Sequence, residues 1–216
     1  DGPMVTVKEW TSIVEQAGGE RIVAAPLAEP RLLDAFEIIK NAMAVEVNDE
    51  ALYDETRDWF RFSKRAIREH GDGLSINTAG LTGFSAGTAN MFLSARNFHK
   101  EKNRARYLET FGKTIDTSRG LLTLTSEENT MRAWIEAGRV YVRVQLAADA
   151  MGLRLHPVSQ VLQEYPQMDA LRVRFEALLG VEAPAKVQML VRVGRSATPG
   201  LSPRRPLSDM MGTPTA

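Results

Sequence analysis

The chain has 216 residues, with 27 basic and 27 acidic side chains and a formal net charge of +0. That balance argues against a general nucleic-acid binder, and 44% hydrophobic residues exclude a disordered chain. The length suffices for one large domain or two small ones with a sizeable core. Cysteine is absent, so disulfides, thiolate catalysis and cysteine metal sites are excluded. The redox compartment is left open by that absence. A cytoplasmic location is expected, with the periplasm as the other option. No apolar run reaches the roughly 20 residues of a membrane span. Leu121–Leu124 and Val187–Val191 are only strand-sized. The first residue is Asp1, and no signal peptide is visible.

Helical spacing of Val7, Trp10, Ile13, Val14 and Ala17 predicts a helix over Val5 to Ala17, stopped by Gly18-Gly19. Arg21 to Ala25 reads as a short strand ended by Pro26. A helix is expected from Pro30 to Val45, with Leu32, Phe36, Ile39 and Met43 buried and Lys40 exposed. Another is expected from Asp49 to Phe62, capped by Asn48 or Asp49. Residues 70 to 90 are rich in glycine and small residues and read as a lid-like insertion. Asn90 to Phe111 is expected to be partly helical and basic. Gly120 to Thr125 reads as a buried strand, and Thr130 to Met151 as a long helix ended by Gly152. A short strand follows over Leu153 to Val158. Met168 to Leu179 is an amphipathic helix stopped by Gly180, and Lys186 to Val193 a strand. Thr198 to Pro206 is Pro-rich and expected to be extended. Interleaved helices and strands indicate an α+β or α/β layered domain.

Chemistry-bearing motifs are sparse. His70, His99 and His156 lack metal-ligand spacing and read as surface or loop histidines. No metal site and no catalytic acid–base set is expected. Gly83-Phe84-Ser85-Ala86-Gly87 matches a nucleophile elbow by letter only, since no strand feeds it. The acidic cluster Glu46, Asp49, Glu50, Asp54, Glu55 and Asp58 reads as a solvated helix face. So does the basic stretch from Arg96 to Arg106. In Ser202-Pro203-Arg204-Arg205-Pro206-Leu207, two arginines stand between prolines. An arginine fork suits phosphate, but a solvated basic tail has the same composition.

Trp134-Ile135-Glu136-Ala137-Gly138-Arg139 and Leu146-Ala147-Ala148-Asp149-Ala150-Met151-Gly152-Leu153 resemble the helix that crosses the core of nitroreductase-superfamily flavoproteins. Pro157-Val158-Ser159-Gln160 is similar to the loop after it. Val187 to Gly194 and Ser202 to Leu207 resemble the closing strand and C-terminal arm. Trp59-Phe60-Arg61-Phe62-Ser63 and Asp72-Gly73-Leu74 resemble the Acg-like branch, in which two such units are fused.

The resemblance implies an α+β nitroreductase-like fold over residues 1–216, with an antiparallel-rich sheet flanked by helices, and FMN as cofactor. It implies backbone around Pro157, Val158, Ser159 and Gln160 facing the flavin ring, and Arg204 and Arg205 meeting the phosphate. The implied activity is an oxidoreductase using NAD(P)H, with the flavin carrying the hydride chemistry. The alternative is flavin binding or sequestration without turnover. The branch's Arg-Ser-Arg-type and Asn-Gln-Pro-Trp-type motifs are absent. A preceding N-terminal unit or a partner chain is therefore expected to supply further flavin contacts, with no membrane or nucleic-acid partner.

Overall fold

The computed structural model describes residues 3–19, 21–28, 30–76, 93–196 and 204–211. Its elements in chain order are α1 (Val7–Ala17), β1 (Ile22–Pro26), α2 (Arg31–Asn48), α3 (Glu50–Trp59) and α4 (Lys64–His70). Then follow α5 (Glu101–Asp116), β2 (Leu121–Ser126), α6 (Met131–Ala150) and β3 (Arg154–Pro157). Two 3-10 turns (Ser159–Leu162 and Pro166–Met168), α7 (Asp169–Leu179), β4 (Lys186–Gly194) and α8 (Leu207–Met210) complete the chain. Two compact units are formed: Asp1–Glu46 with Tyr107–Ser196, and Val47–Arg106 with Ala197–Ala216.

The first unit is built on a four-stranded, fully antiparallel sheet in the order β1-β2-β4-β3. This is the expected α+β class. In the β2–β4 register Leu122 faces Val191 and Leu124 faces Met189, with a bulge after Leu124. Side chains alternate across a strand. Leu122, Leu124, Val191 and Val193 therefore share one face and join a buried cluster with Ile13 of α1 and Val140 and Val144 of α6. Leu121 and Leu190, on the alternate positions, are also fully buried. Both faces of the central pair are thus covered, which explains why these strands read as continuous apolar runs.

Local chemistry sets the helix ends. Thr6 caps α1 through a reciprocal box: Glu9 N–H donates to Thr6 Oγ1, and Thr6 N–H donates to Glu9 Oε2 at 2.8 Å. Asp49 caps α3 by accepting from Ala51 and Leu52 N–H, and Thr130 caps α6. Gly180 ends α7 at φ 71, in the left-handed region.

Several expectations need correction. The helix expected to Phe62 stops at Trp59, because Phe60 turns extended and bridges Leu74. Ser63 then caps α4, which hydrophobic periodicity could not show because α4 buries nothing. In α1 only Ile13 and Ala17 are buried, with Trp10 packed against them, while Val7 and Val14 are exposed. Lys40 is not simply exposed. Its ammonium sits between Glu37 (2.6 Å) and Asp116 (2.9 Å), and these hydrogen bonds raise its pKa. The long helix is core on one face only. Met131, Trp134, Ile135, Val142 and Leu146 stay exposed, and Trp134 Nε1 donates to Asn129 Oδ1.

Gly120, just before β2, has no room for a side chain, since a Cβ there would lie 2.4 Å from Trp10 Cζ2. We expect Gly120→Ala to cost about 1–3 kcal/mol through overpacking. Urea denaturation would measure it, and Trp10→Phe in the same chain should recover part of the loss.

Candidate functional site

The first unit places Pro157 to Gln160 at the corner where β3 leaves the sheet. Pro157 ends β3, opposite Val191, and is exposed. Val158 is fully buried, and its N–H donates to the Leu190 carbonyl at 3.0 Å. The Ser159 hydroxyl donates to the same carbonyl at 3.1 Å and accepts from Leu190 N–H at 3.4 Å. Two consecutive residues thus stitch the 3-10 turn to β4, so the Ser159 side chain is structural. Gln160 is different: its Oε1 is buried with no hydrogen-bond partner among the described residues. A buried acceptor left without a donor is costly, and such a group calls for a partner from a water, an ion or a ligand.

Beside this corner, His156 of β3 pairs across the sheet with Arg192 of β4. Arg192 Nη1 donates to the Thr114 carbonyl at 2.6 Å, in the last turn of α5. A cation suits the unsatisfied carbonyls of a helix C-terminus. Burial lowers the Arg192 pKa. Crowding of the imidazole, which keeps an edge open to solvent, and then the Arg192 charge hold His156 below the ordinary histidine value.

The second unit holds Arg204 and Arg205, and also joins the two short motifs noted around Arg61 and Asp72. Arg61 N–H donates to the Leu74 carbonyl at 2.7 Å, and Leu74 N–H to the Trp59 carbonyl at 2.9 Å. The Arg61 guanidinium grips Asp72 Oδ1 through Nε (3.0 Å) and Nη2 (2.8 Å), while Nη1 donates to the Asp58 carbonyl at 2.7 Å. Arg205 Nη2 donates to the other carboxylate oxygen of Asp72. One acid therefore serves two arginines. Side-chain exposure is 14% for Arg61 and 18% for Asp72, against 42% for Arg205. Hydrogen bonds from Arg205 first, then from Arg61, lower the Asp72 pKa.

Two glycines make this turn. Gly73 has φ 77, and a Cβ there would meet the Trp59 carbonyl oxygen at 2.4 Å. Gly71 has φ 62, and the Arg204 backbone passes where its Cβ would stand, with the carbonyl oxygen 3.1 Å away. The C-terminal arm thus lies directly on the Gly71-Asp72-Gly73 turn.

His99 departs from the surface reading. Its ring is half-buried, edge-on to Tyr53, with Nε2 at 2.8 Å from Asp54 and Nδ1 at 2.9 Å from Arg104 Nη2. Arginine only donates, so Nδ1 accepts from Arg104, while Nε2 lies between the Asp54 carboxylate and Arg57 Nη1 at 3.3 Å. Both nitrogens are occupied by protein. Asp54 also pairs with Arg57 at 2.6 Å, so part of the acidic cluster is structural rather than solvated. Arg104 lies over the Tyr53 ring, so the basic stretch is not wholly solvated either. No group of three or more acidic or histidine side chains fit for a metal occurs among the described residues. No helix there is long and apolar enough to cross a membrane. The letter match at Gly83–Gly87 and most of the lid-like insertion lie outside the described residues.

Sequence reasoning missed Arg192 and the partnership of Asp72 with Arg205. The first carries no motif, and the second joins positions 133 residues apart.

No known family profile and no curated protein matches the chain. Solved structures do match, along nearly the whole of this chain, and they define the class of fold: nitroreductase-like. One is a nitroreductase with bound FMN from Desulfitobacterium hafniense DCB-2, with TM-score 0.56 and 12% identity, covering 99% of this chain and 89% of that one. An FMN- and NADPH-dependent nitroreductase from Sphigopyxis sp. strain HMH matches at TM-score 0.53 and 15% identity, over 100% and 93% of the two chains. A nitroreductase-like family protein from Bacillus cereus matches at 0.53 and 10%, over 100% and 89%. The chain therefore has the nitroreductase-like fold.

A carboxylate with a lowered pKa contributes its stability fully above the ordinary value of 3.8 and loses it as pH falls through the lower native value. We expect the Asp72 carboxyl to titrate below 3.8 in an NMR pH series. Arg205→Ala should move that midpoint upward.

Proposed function

We propose that this protein is an FMN-dependent oxidoreductase of nitroreductase type that takes hydride from NAD(P)H through the flavin. The observation that supports this reading best is the whole-length match of its fold to nitroreductases, two of them described with FMN. Residues of this chain also suit the cofactor. The orphaned Gln160 Oε1 is an acceptor in need of a donor, and a flavin ring offers an imide N–H. Arg205 keeps a partly exposed guanidinium, and a phosphate accepts two parallel bonds from such a fork.

In this reading Gln160 orients the ring, and Arg205, with Arg204 beside it, holds the phosphate. Val158 and Ser159 act indirectly, by fixing the turn against β4 so that Gln160 is held still. Pro157 ends the strand and sets where the turn begins. The flavin, once bound, supplies the hydride chemistry, and the protein supplies binding, orientation and electrostatics.

The purified chain should bind FMN with quenching of flavin fluorescence, and NAD(P)H should bleach the bound flavin. Flavin that is bound but not reduced by NAD(P)H would overturn the oxidoreductase reading and leave binding without turnover. Arg205→Ala should weaken FMN about 10–100-fold, the scale of one or two charge-assisted hydrogen bonds.

A further inference from the structure

The partner of Arg205 is the most informative feature outside the cofactor contacts themselves. An exposed arginine beside a carboxylate invites two opposite readings. The acid either competes with an anion for the guanidinium, or it holds the guanidinium in place for one. The geometry favours the second. Asp72 is fixed without any help from the arm. Arg61 grips its Oδ1 twice, the Asp58 carbonyl locks Arg61, and the positive φ angles of Gly71 and Gly73 set the turn. Asp72 then engages Arg205 through Nη2, and among the described residues the other Arg205 donors have no partner. A guanidinium held at one corner keeps donors in its fixed plane for another acceptor. The three side chains carry two positive charges and one negative, so the clasp still attracts an anion. Pre-setting the rotamer also lowers the entropy cost of binding.

We propose that Asp72, backed by Arg61, is a positioning residue that orients Arg205 to bind a phosphate monoester. This rests on the reading of Arg205 as the FMN phosphate contact, and it adds the residue that makes that contact selective.

The test compares FMN with riboflavin, which lacks the phosphate, by fluorescence titration of the full chain. Asp72→Asn should weaken FMN roughly 10-fold, while riboflavin stays within about twofold. Asp72→Glu should recover part of the FMN affinity. With Arg205→Ala already in place, Asp72→Asn should change FMN affinity no further. Equal loss for both flavins would mean a merely structural role and overturn the proposal. Tighter FMN binding in Asp72→Asn would overturn it too, because Asp72 would then be a competitor. If the wild-type chain binds neither flavin, the flavin reading fails separately. Inorganic phosphate titrated against the Arg205 Nε–H by NMR then decides the clasp. A saturable shift lost in Asp72→Asn upholds it, and no shift overturns it.

Discussion

The β2–β4 pair has no face that can touch water, and the first unit is arranged around that constraint. Leu122, Leu124, Val191 and Val193 need cover on one side, Leu121 and Leu190 on the other. Burial of such side chains stabilises by about 25 cal/mol per Å² of apolar area, so leaving either face open would forfeit several kcal/mol. Helices α1 and α6 cover the first face. Their own buried positions, Ile13, Ala17, Val140 and Val144, are spaced to meet it. The two faces differ in one respect. Arg192 sits in the second with its charge directed at the end of α5, where the Thr114 carbonyl accepts it. A half-buried cation is tolerated there because a helix C-terminus supplies partial negative charge.

The same strand anchors the corner that carries Gln160. The Leu190 carbonyl accepts both from the Val158 N–H and from the Ser159 hydroxyl. A turn held by two bonds to a fully buried strand residue has little freedom to move. Rigid support of this kind lets a neighbouring side chain keep an unsatisfied acceptor in place. The second unit reaches a comparable result by other means. Two glycines with positive φ replace the strand, and a carboxylate shared by Arg61 and Arg205 replaces the backbone bonds. The net charge of the chain is zero, but its charges are strongly organised in places.

Much of the fold was legible because the signals are local. The cap at Asp49, the stops at Gly152 and Gly180, and the apolar runs of β2 and β4 lie within a few residues of what they control, whereas the caps at Thr6 and Thr130 fall inside the helices expected from periodicity. The errors fall where local signals are weak or misleading. Helix α4 buries nothing and so shows no periodicity. Phe60 looks like a helical apolar position but is drawn into a bridge with Leu74. His99 looks like an isolated histidine until Asp54 and Arg104 are brought to its two nitrogens.

The amino-acid sequence by itself determined a layered domain of mixed helices and strands, the order of its strands and longer helices along the chain, and the exclusion of cysteine chemistry. Those follow from composition and from hydrophobic period, which are properties of neighbouring residues. It also marked Pro157 to Gln160 and Arg204-Arg205 as segments of interest. Only the tertiary structure decided what those side chains do. It committed the Ser159 hydroxyl to Leu190, left Gln160 Oε1 without a donor among the described residues, and set Arg205 against Asp72. The physical reason is that a hydrogen bond's worth depends on which partners are already satisfied. That is settled by contacts between residues far apart in the chain.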